Sequence, residues 1–385
     1  MGMIDRMARW AGYERRSAPE VSWDALAPAL GYPAAVSARA AENLAAVLGC
    51  VQVQASALGS IPAGVYRRAP DGTRLEEFAH PLARLIRLGA NDAMTWPEFI
   101  EHLVASTLLT GNGLAAIERA GNGQISGLRF IPWAQIGVVE LRSGRLAYDW
   151  SDPLTGRRQR FLQGEVIHLR DRTDDGKIGR SRLSRAADTM AGIQSSHRFA
   201  RSFLDKGAAP SGYLKVPGAL TPEQLAKFRE QMAARNQGAG NAGQVMILDG
   251  GIDWVNAQIS PEDAELLETR KFGVEEICRI FQVPPPLIQD YSHNTFTNSE
   301  TAGRWFAMFT LTPWARKIEA EFARSVFPAS SGLELELDLG GFLRGDPKTR
   351  WDTYKIARET DVLTADEIRQ LEGWNPRGDA TGVTQ

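Results

Sequence analysis

Residues 182–206, RLSRAADTMAGIQSSHRFARSFLDK, and residues 260–281, SPEDAELLETRKFGVEEICRIF, decide how this chain folds. In the first, Leu183, Ala187, Met190, Ile193, His197, Ala200 and Leu204 recur at helical spacing, while Arg182, Arg185, Arg198 and Arg201 fall mostly off that stripe. The pattern predicts one long amphipathic helix. In the second, Ser260-Pro261-Glu262-Asp263 caps a helix whose stripe is Leu267, Val274, Ile277, Cys278 and Phe281, and Pro284-Pro285-Pro286 ends it. Between them lies a compact insert. It reads as a strand at 212–216, a helix opened by the capping box Thr221-Pro222-Glu223-Gln224, a Gly/Asn-rich loop at 238–243, and a hairpin of 244–248 with 253–257 across Asp249-Gly250-Gly251. Such an insert is too small to hold a core alone.

Upstream, Leu44, Val47, Leu48, Val51, Ala55 and Leu58 predict a buried helix that Gly59 and Pro62 end. Gln52, Gln54, Ser56 and Ser60 interrupt this uncharged stretch, so it does not read as a membrane span. Ala63–Arg68 reads as a strand and Pro70-Asp71-Gly72-Thr73 as the turn of its hairpin. Thr95 N-caps a helix with Pro97 and Glu98 in its first turn and Phe99, Leu103, Thr107 and Leu108 along one side, stopped by Gly111-Asn112-Gly113. Strands at 114–119 and 124–131 flank Gly121-Asn122-Gly123, and others fall at 136–141, 146–150 and Val166–Arg170. Hairpins in place of regular βαβ alternation make the fold class α+β.

Downstream, 290–298 is a polar loop and 299–326 a third helix that Pro313 should kink. Leu333, Leu335, Leu337 and Leu339 alternate with Glu334, Glu336 and Asp338 as a strand. Two short helices close the chain, the second capped by Thr364 with Glu367 three residues on. Residues 1–16 place Ile4, Met7 and Trp10 among Arg6, Arg9, Arg15 and Arg16, without the apolar core of a secretory signal. They read as a mobile or partner-docked arm, with membrane-surface attachment as the alternative. Residues 377–385 read as a frayed end.

The 385 residues carry 44 Lys+Arg, 46 Asp+Glu, five His and two Cys. Cys50 and Cys278 cannot supply a disulfide framework or a four-Cys zinc site, and five scattered His do not make a metal cluster, so no cofactor and no metal is expected. No P-loop, H-E-x-x-H or G-x-S-x-G occurs. Cys278 lies on an apolar stripe, as a buried inert thiol does. His168, on a strand, reads as a packing or hydrogen-bonding residue before a catalytic one, and His293 as a surface residue. Glu262, Asp263, Glu265 and Glu268 spread around their helix as a solvated face, not a metal site. Without a catalytic constellation, the chain reads as a structural or interaction protein and not an enzyme.

The order of motifs resembles the portal proteins of tailed double-stranded-DNA bacteriophages, in the branch with long non-contractile tails. The stretches that carry the resemblance are ASALGSIPAGVY at 55–66, His80-Pro81-Leu82, Gly111-Asn112-Gly113, GEVIHL at 164–169, GRSRL at 179–183, FLDKGAAPSGYL at 203–214, NAGQVMIL at 241–248, ICRIFQVPPPLI at 277–288 and TFTNSET at 295–301. They span about residues 40–328.

The resemblance implies a homo-oligomeric ring, typically of twelve subunits, at one capsid vertex of the virion, assembled in the bacterial host cytoplasm. Double-stranded DNA passes through its channel without sequence specificity. Its implied partners are the large terminase subunit, head-tail connector proteins, and the major capsid protein or scaffold, with no membrane. Mapped by order, 1–35 is a flexible arm, 36–181 an α+β wing, 182–206 a first stem helix, 207–259 a small α/β clip and 260–283 a second stem helix. Then come a tunnel loop at 284–298, a kinked wing helix and strand at 299–345, and a crown-like helical end at 346–385. The implied stem residues are Arg182, Arg185, Arg198, Arg201, Glu262, Glu265 and Glu268; the clip residues are Tyr213, Lys215, Lys227 and Trp254; the channel-loop residues are Tyr291, Ser292, His293, Asn294, Thr295 and Asn298.

Uncharged donors in that loop suit contact with a sliding phosphate backbone, which a Lys/Arg cluster would grip through counterion release; a solvated surface loop is the alternative. Phe199 and Phe203, beside the main stripe, fit subunit packing or burial within the chain. Two other functions remain open: another ring-forming head-tail adaptor, or a nucleic-acid-processing hydrolase using His168 or His293. The near-neutral net charge of −2 hides a cancellation, because residues 1–206 carry 26 basic and 21 acidic side chains and residues 207–385 carry 18 and 25. Near-neutrality argues against tight, static DNA binding and leaves a DNA conduit open.

Overall fold

The computed structural model describes residues 37–69, 74–152, 155–205, 212–215, 221–223, 253–256, 261–291, 296–328, 330–340, 347–372, 374, 375 and 377. Expectations for the arm at 1–35, the turn at 70–73, the arm of a hairpin at 244–248, Lys227 and Ser292, His293, Asn294 and Thr295 fall outside them. In chain order the elements are α1 (Ala38–Glu42), α2 (Ala45–Gly59), β1 (Ala63–Arg68), β2 (Arg74–Glu76), α3 (Pro81–Leu88), α4 (Trp96–Thr110), β3 (Asn112–Arg119), β4 (Ile125–Ile131), β5 (Ile136–Glu140), β6 (Leu146–Ser151), β7 (Arg158–Leu162) and β8 (Val166–Arg170). There follow α5 (Arg182–Arg185), α6 (Ala187–Asp205), β9 (Gly212–Lys215), β10 (Asp253–Asn256), α7 (Pro261–Phe281), α8 (Phe296–Phe306), α9 (Thr312–Ser325), β11 (Leu333–Leu337), α10 (Pro347–Glu359) and α11 (Ala365–Leu371). All strand pairings are antiparallel among the described residues, as an α+β fold built of hairpins requires.

The chain divides into two compact units, Ala45–Ser181 with Ile277–Gln385, and Met1–Leu44 with Arg182–Glu276. In the larger unit, three-stranded sheets of order β4-β3-β8 and β5-β6-β7 enclose a core of Leu114, Ala116, Ile131, Leu146, Tyr148, Phe161 and Val166. A third sheet, β11-β1-β2, joins the late leucine strand to the first strand in the register Ala63↔Leu337 to Arg67↔Leu333. Leu335, Leu337 and Leu339 are buried, as their alternation predicts. Helices α2 and α4 pack along each other. Thr95 and Glu98 form the expected capping box on α4, whose Phe99, Leu103, Thr107 and Leu108 are fully buried. In the smaller unit, α6 and α7 meet where Gly273 leaves room for Ile193: a Cβ at Gly273 would stand 3.3 Å from Ile193 Cγ1.

Several expectations change. Leu48 is 50% exposed, so the stripe of α2 is narrower than its spacing suggests. The helix expected over 182–206 is interrupted at Ala186 and its description ends at Asp205, although the bonds Ala186 N–H to Arg182 O and Met190 N–H to Ala186 O keep helical pairing through the break. His197 faces solvent instead of the core. β10 has a partner that the sequence did not suggest, β9, the strand that opens the insert, while the expected pairing with 244–248 lies outside the described residues. Three elements were not anticipated, the first being the five-residue α1, capped by the Ser37 side chain, which accepts the Ala40 N–H. α3 is an eight-residue helix that His80 caps by accepting the Leu82 N–H on Nδ1, with Pro81 in its first turn. β7 adds an edge to β6 through Arg158, Gln159 and Arg160, whose polarity conceals a strand.

Candidate functional site

Three of the separately quoted motifs meet at one buried point. Asn112, between the two glycines of the Gly-Asn-Gly stop, donates through Nδ2 to the Gly179 carbonyl at 2.8 Å and accepts the Gly179 N–H on Oδ1 at 2.8 Å. Backbone polarity at Gly179 thus fixes the orientation of the Asn112 amide. Its Oδ1 also accepts from His168 Nε2 at 3.0 Å, so the other ring nitrogen, Nδ1, accepts the Tyr148 hydroxyl at 2.9 Å. Trp133 stacks on the imidazole, with ring centroids 5.2 Å apart. The His168 backbone N–H donates to Glu321 Oε1, which also accepts from Arg324 and Ser325. Burial, with Arg170 and Arg324 nearby, pushes the His168 pKa down to about 3. The imidazole is neutral at pH 7, sealed and fully bonded: a structural node with no face for a substrate.

The second point is the end of α7, where the expected channel loop begins. Helix termini leave carbonyls without intrahelical partners. Here the Phe281 carbonyl accepts from Gln54 Nε2 on α2 at 3.0 Å, and the Gln282 carbonyl accepts from Thr310 Oγ1 at 2.7 Å. The stop itself is a Schellman motif: Gln282 takes the left-handed conformation (φ 60°), its N–H donates to Arg279 O, and the Val283 N–H donates to Cys278 O at 2.9 Å. The prolines follow this stop; they do not make it. Pro284 is extended and Pro285–Ile288 forms a 3₁₀ turn that ends on left-handed Gln289. Tyr291, 61% exposed, is the last residue of this segment described before Phe296.

The helix on the other side of the loop begins at Phe296, earlier than expected, so Asn298 belongs to α8 and not to the loop. Its interruption is where Pro313 predicts one, by a particular means. Ala307–Leu311 is a π-helical turn, in which the Thr312 N–H reaches back to Ala307 O and Pro313 opens α9 within its first turn. This wide turn directs Thr310 inward to Gln282 and leaves Trp305, Met308 and Phe309 61%, 54% and 65% exposed. These three fall at i, i+3 and i+4 spacing; their period was legible in the sequence, but a kink with two apolar sides does not say which one is left bare.

The remaining expected residues are dispersed. Arg182 and Arg185 are half-buried on α5, and Arg198 and Arg201 exposed on α6. Glu262, Glu265 and Glu268 lie on α7; Tyr213, Lys215 and Trp254 lie on the β9–β10 pair, where Trp254 is opposite Leu214. Among the described residues no group of three or more His, Cys, Asp or Glu side chains could hold a metal ion. No described helix is long and apolar enough to cross a membrane.

Sealed polar nodes, capped helix ends and an exposed apolar helix face define a structural subunit built of helices and hairpins. The family model described as phage portal protein matches residues 45–373, and the chain belongs to that family. It is 29% identical over 360 residues to a probable portal protein of Streptomyces phage phiC31, covering 88% of this chain and 76% of that protein. It is 27% identical over 339 residues to the portal protein of Enterobacteria phage HK97, covering 87% and 79%. The fold superposes with a TM-score of 0.60 on a chain of the neck of a native gene transfer agent particle computed with C12 symmetry, at 23% identity, covering 97% of this chain and 100% of that one. The function is that of a portal, a structural part of a virion.

Proposed function

We propose that the chain assembles with copies of itself into a ring around a channel that double-stranded DNA crosses on entering and leaving the particle, with no catalytic step of its own. The family match over residues 45–373 carries this reading. A neck relative solved with C12 symmetry supports a ring of twelve. The exposed stripe Trp305, Met308 and Phe309 suits burial against the next copy, since water-facing apolar clusters on one helix face mark interaction surfaces. The segment 284–298, with Tyr291, Ser292, His293, Asn294 and Thr295, takes the part of the channel loop. Its start is held from α2 by Gln54 and from the π turn by Thr310, which suits a segment that must keep its place while DNA slides past. Asn298, the last residue of that segment, lies in the first turn of α8.

In the same reading α5, α6 and α7 form the stem, with Arg182, Arg185, Arg198, Arg201, Glu262, Glu265 and Glu268 on it. The insert at 207–259, with Tyr213, Lys215, Lys227 and Trp254, is the clip that meets the large terminase subunit and later the connector proteins. The α+β part at 36–181 is the wing, facing capsid protein or scaffold, and 346–385 a small crown; assembly takes place in the host cytoplasm. Sealing of His168 removes one of the two bases on which a hydrolase alternative leaned. End-on electron micrographs of the purified full chain test the proposal. Closed rings with a central hole are expected; monomers, or assemblies without a hole, would overturn it.

A further inference from the structure

Cys50 and Cys278 are the chain's two cysteines; neither forms a disulfide and both are buried. They come from distant parts of the sequence, yet the two thiols share a side-chain hydrogen bond. The surrounding frame shows that this contact is built. Gln54, one turn beyond Cys50 on α2, donates through Nε2 to the carbonyls of Cys50 at 3.3 Å and Phe281 at 3.0 Å, and Phe281 lies one turn beyond Cys278 on α7. One amide therefore ties the Cys50 carbonyl on α2 to the Phe281 carbonyl at the end of α7, within one helical turn of both sulfurs. Next to Cys50, Gly49 lets the chain after α7 approach closely: a Cβ there would stand 3.3 Å from Ile288 Cγ2.

We propose that this pair is an oxidative modification site, at which a peroxide joins Cys50 Sγ to Cys278 Sγ within one chain. One sulfur, as thiolate, attacks a peroxide oxygen; the O–O bond breaks, leaving a sulfenic acid, and the departing hydroxide leaves as water. The second thiol attacks that sulfur, forms the S–S bond and displaces a second water. In sum the two thiols lose two electrons and two protons, and hydrogen peroxide is reduced to two molecules of water.

The hydrogen bond with the Cys278 sulfur, and then burial, push the Cys50 thiol far above its ordinary range, so the reactive thiolate is scarce at neutral pH and the step is slow. A small oxidant reaches it through local opening. The pair stays reduced where thiols are kept reduced, and oxidation becomes available to a particle outside a cell. That last consequence rests on the virion role; the chemistry does not. Once formed, the link would fasten α2 to the last turn of α7, immediately before the loop.

The test uses the full-length protein, incubated with hydrogen peroxide under native conditions near neutral pH, alkylated in denaturant and analysed by peptide mass spectrometry. The expected result is loss of both alkylatable thiols and appearance of a linked Cys50–Cys278 peptide two hydrogens lighter than its parts, restored by reductant. Cys50→Ala and Cys278→Ala chains should give no linked peptide. Thiols that remain alkylatable, sulfinic or sulfonic acids without the linked peptide, or a link between chains on a non-reducing gel would each overturn the proposal. None of these readouts depends on ring formation, so failure of the ring reading would be separately visible in micrographs.

Discussion

The side-chain amide of Gln54 donates to the carbonyl of Phe281, 3.0 Å away and 227 positions along the chain. Gln54 is fully buried, and that carbonyl is one that helix α7 cannot satisfy itself. Gln54→Ala would remove the donor and a well-packed side chain together. Leaving a buried acceptor unpaired costs about 1–3 kcal/mol, so the thermal midpoint should fall by several degrees. Gln54→Leu, which restores volume without the donor, should recover only part of the loss. Full recovery in differential scanning calorimetry would mean that Gln54 acts by packing alone.

Asn112 spends both ends of its amide on the Gly179 backbone and shares its oxygen with His168. Asn112→Asp keeps the shape but replaces the Nδ2 donor by an oxygen facing the Gly179 carbonyl, and buries a charge. The expected outcome is a loss larger than that of Gln54→Ala, on the order of 3 kcal/mol, because a charge and an unpaired carbonyl are buried at once. Equal denaturant midpoints for Asn112→Asp and the parent chain would contradict the geometry described for this node.

His168 sets a pH dependence. Its folded pKa lies near 3, against an ordinary value of 6.5. Between these values the unfolded chain binds a proton that the folded chain does not, so stability rises with pH across that window. The contribution is complete above about pH 6.5 and is lost progressively as pH falls towards 3, by up to about 5 kcal/mol. His168→Gln, which cannot titrate, should flatten the dependence of the unfolding midpoint between pH 6.5 and 4, even if it lowers stability at pH 7. An unchanged slope would show that His168 already titrates normally in the folded chain.

The features most legible in the sequence were local ones. The capping boxes Thr95–Glu98 and Thr364–Glu367 appear as expected, because three-residue spacing suffices to specify them. The leucine alternation at 333–339 is equally self-contained. The end of α7 was placed correctly for an incomplete reason: prolines mark the spot, but the stop is a Schellman turn on Gln282, where glycine would be the usual residue. The Asn112–His168–Gly179 node was invisible because it joins residues 56 and 67 positions apart. The exposure of Trp305, Met308 and Phe309 was invisible for another reason: a kinked helix with apolar residues on two sides does not say which side packs.

That bare stripe supplies a prediction about assembly. Trp305 and Phe309 are among the most exposed large apolar side chains described. Replacing both by Ser removes little from the folded subunit and much from the surface proposed to meet a neighbouring copy. The double variant should keep its circular dichroism spectrum while its ring population, measured by light scattering after size exclusion, falls at least tenfold at a fixed concentration; a loss of about 1.4 kcal/mol per contact suffices for that factor. Unchanged rings would place the subunit contact on another face.

The turn after Phe281 allows the channel-loop assignment to be tested from both sides. Gln282 holds a left-handed conformation that costs a non-glycine residue roughly 1–2 kcal/mol, so Gln282→Gly should stabilise the chain slightly and leave the path of the loop unaltered. Replacing Val283, Pro284 and Pro285 by Ala acts the opposite way. It removes the Val283 side chain buried beside the Schellman turn, the restriction that Pro284 imposes on the residue before it, and two rings that cannot continue a helix, while the backbone N–H at 283 remains free to extend the helical pairing. With three good helix formers in their place, α7 should extend into the loop, and helical content should rise by circular dichroism. Rings should still form, since Trp305, Met308 and Phe309 are untouched, while the yield of packaged genome falls. A genome yield equal to that of the parent chain, with the helix extended, would mean that DNA does not meet the segment after Phe281.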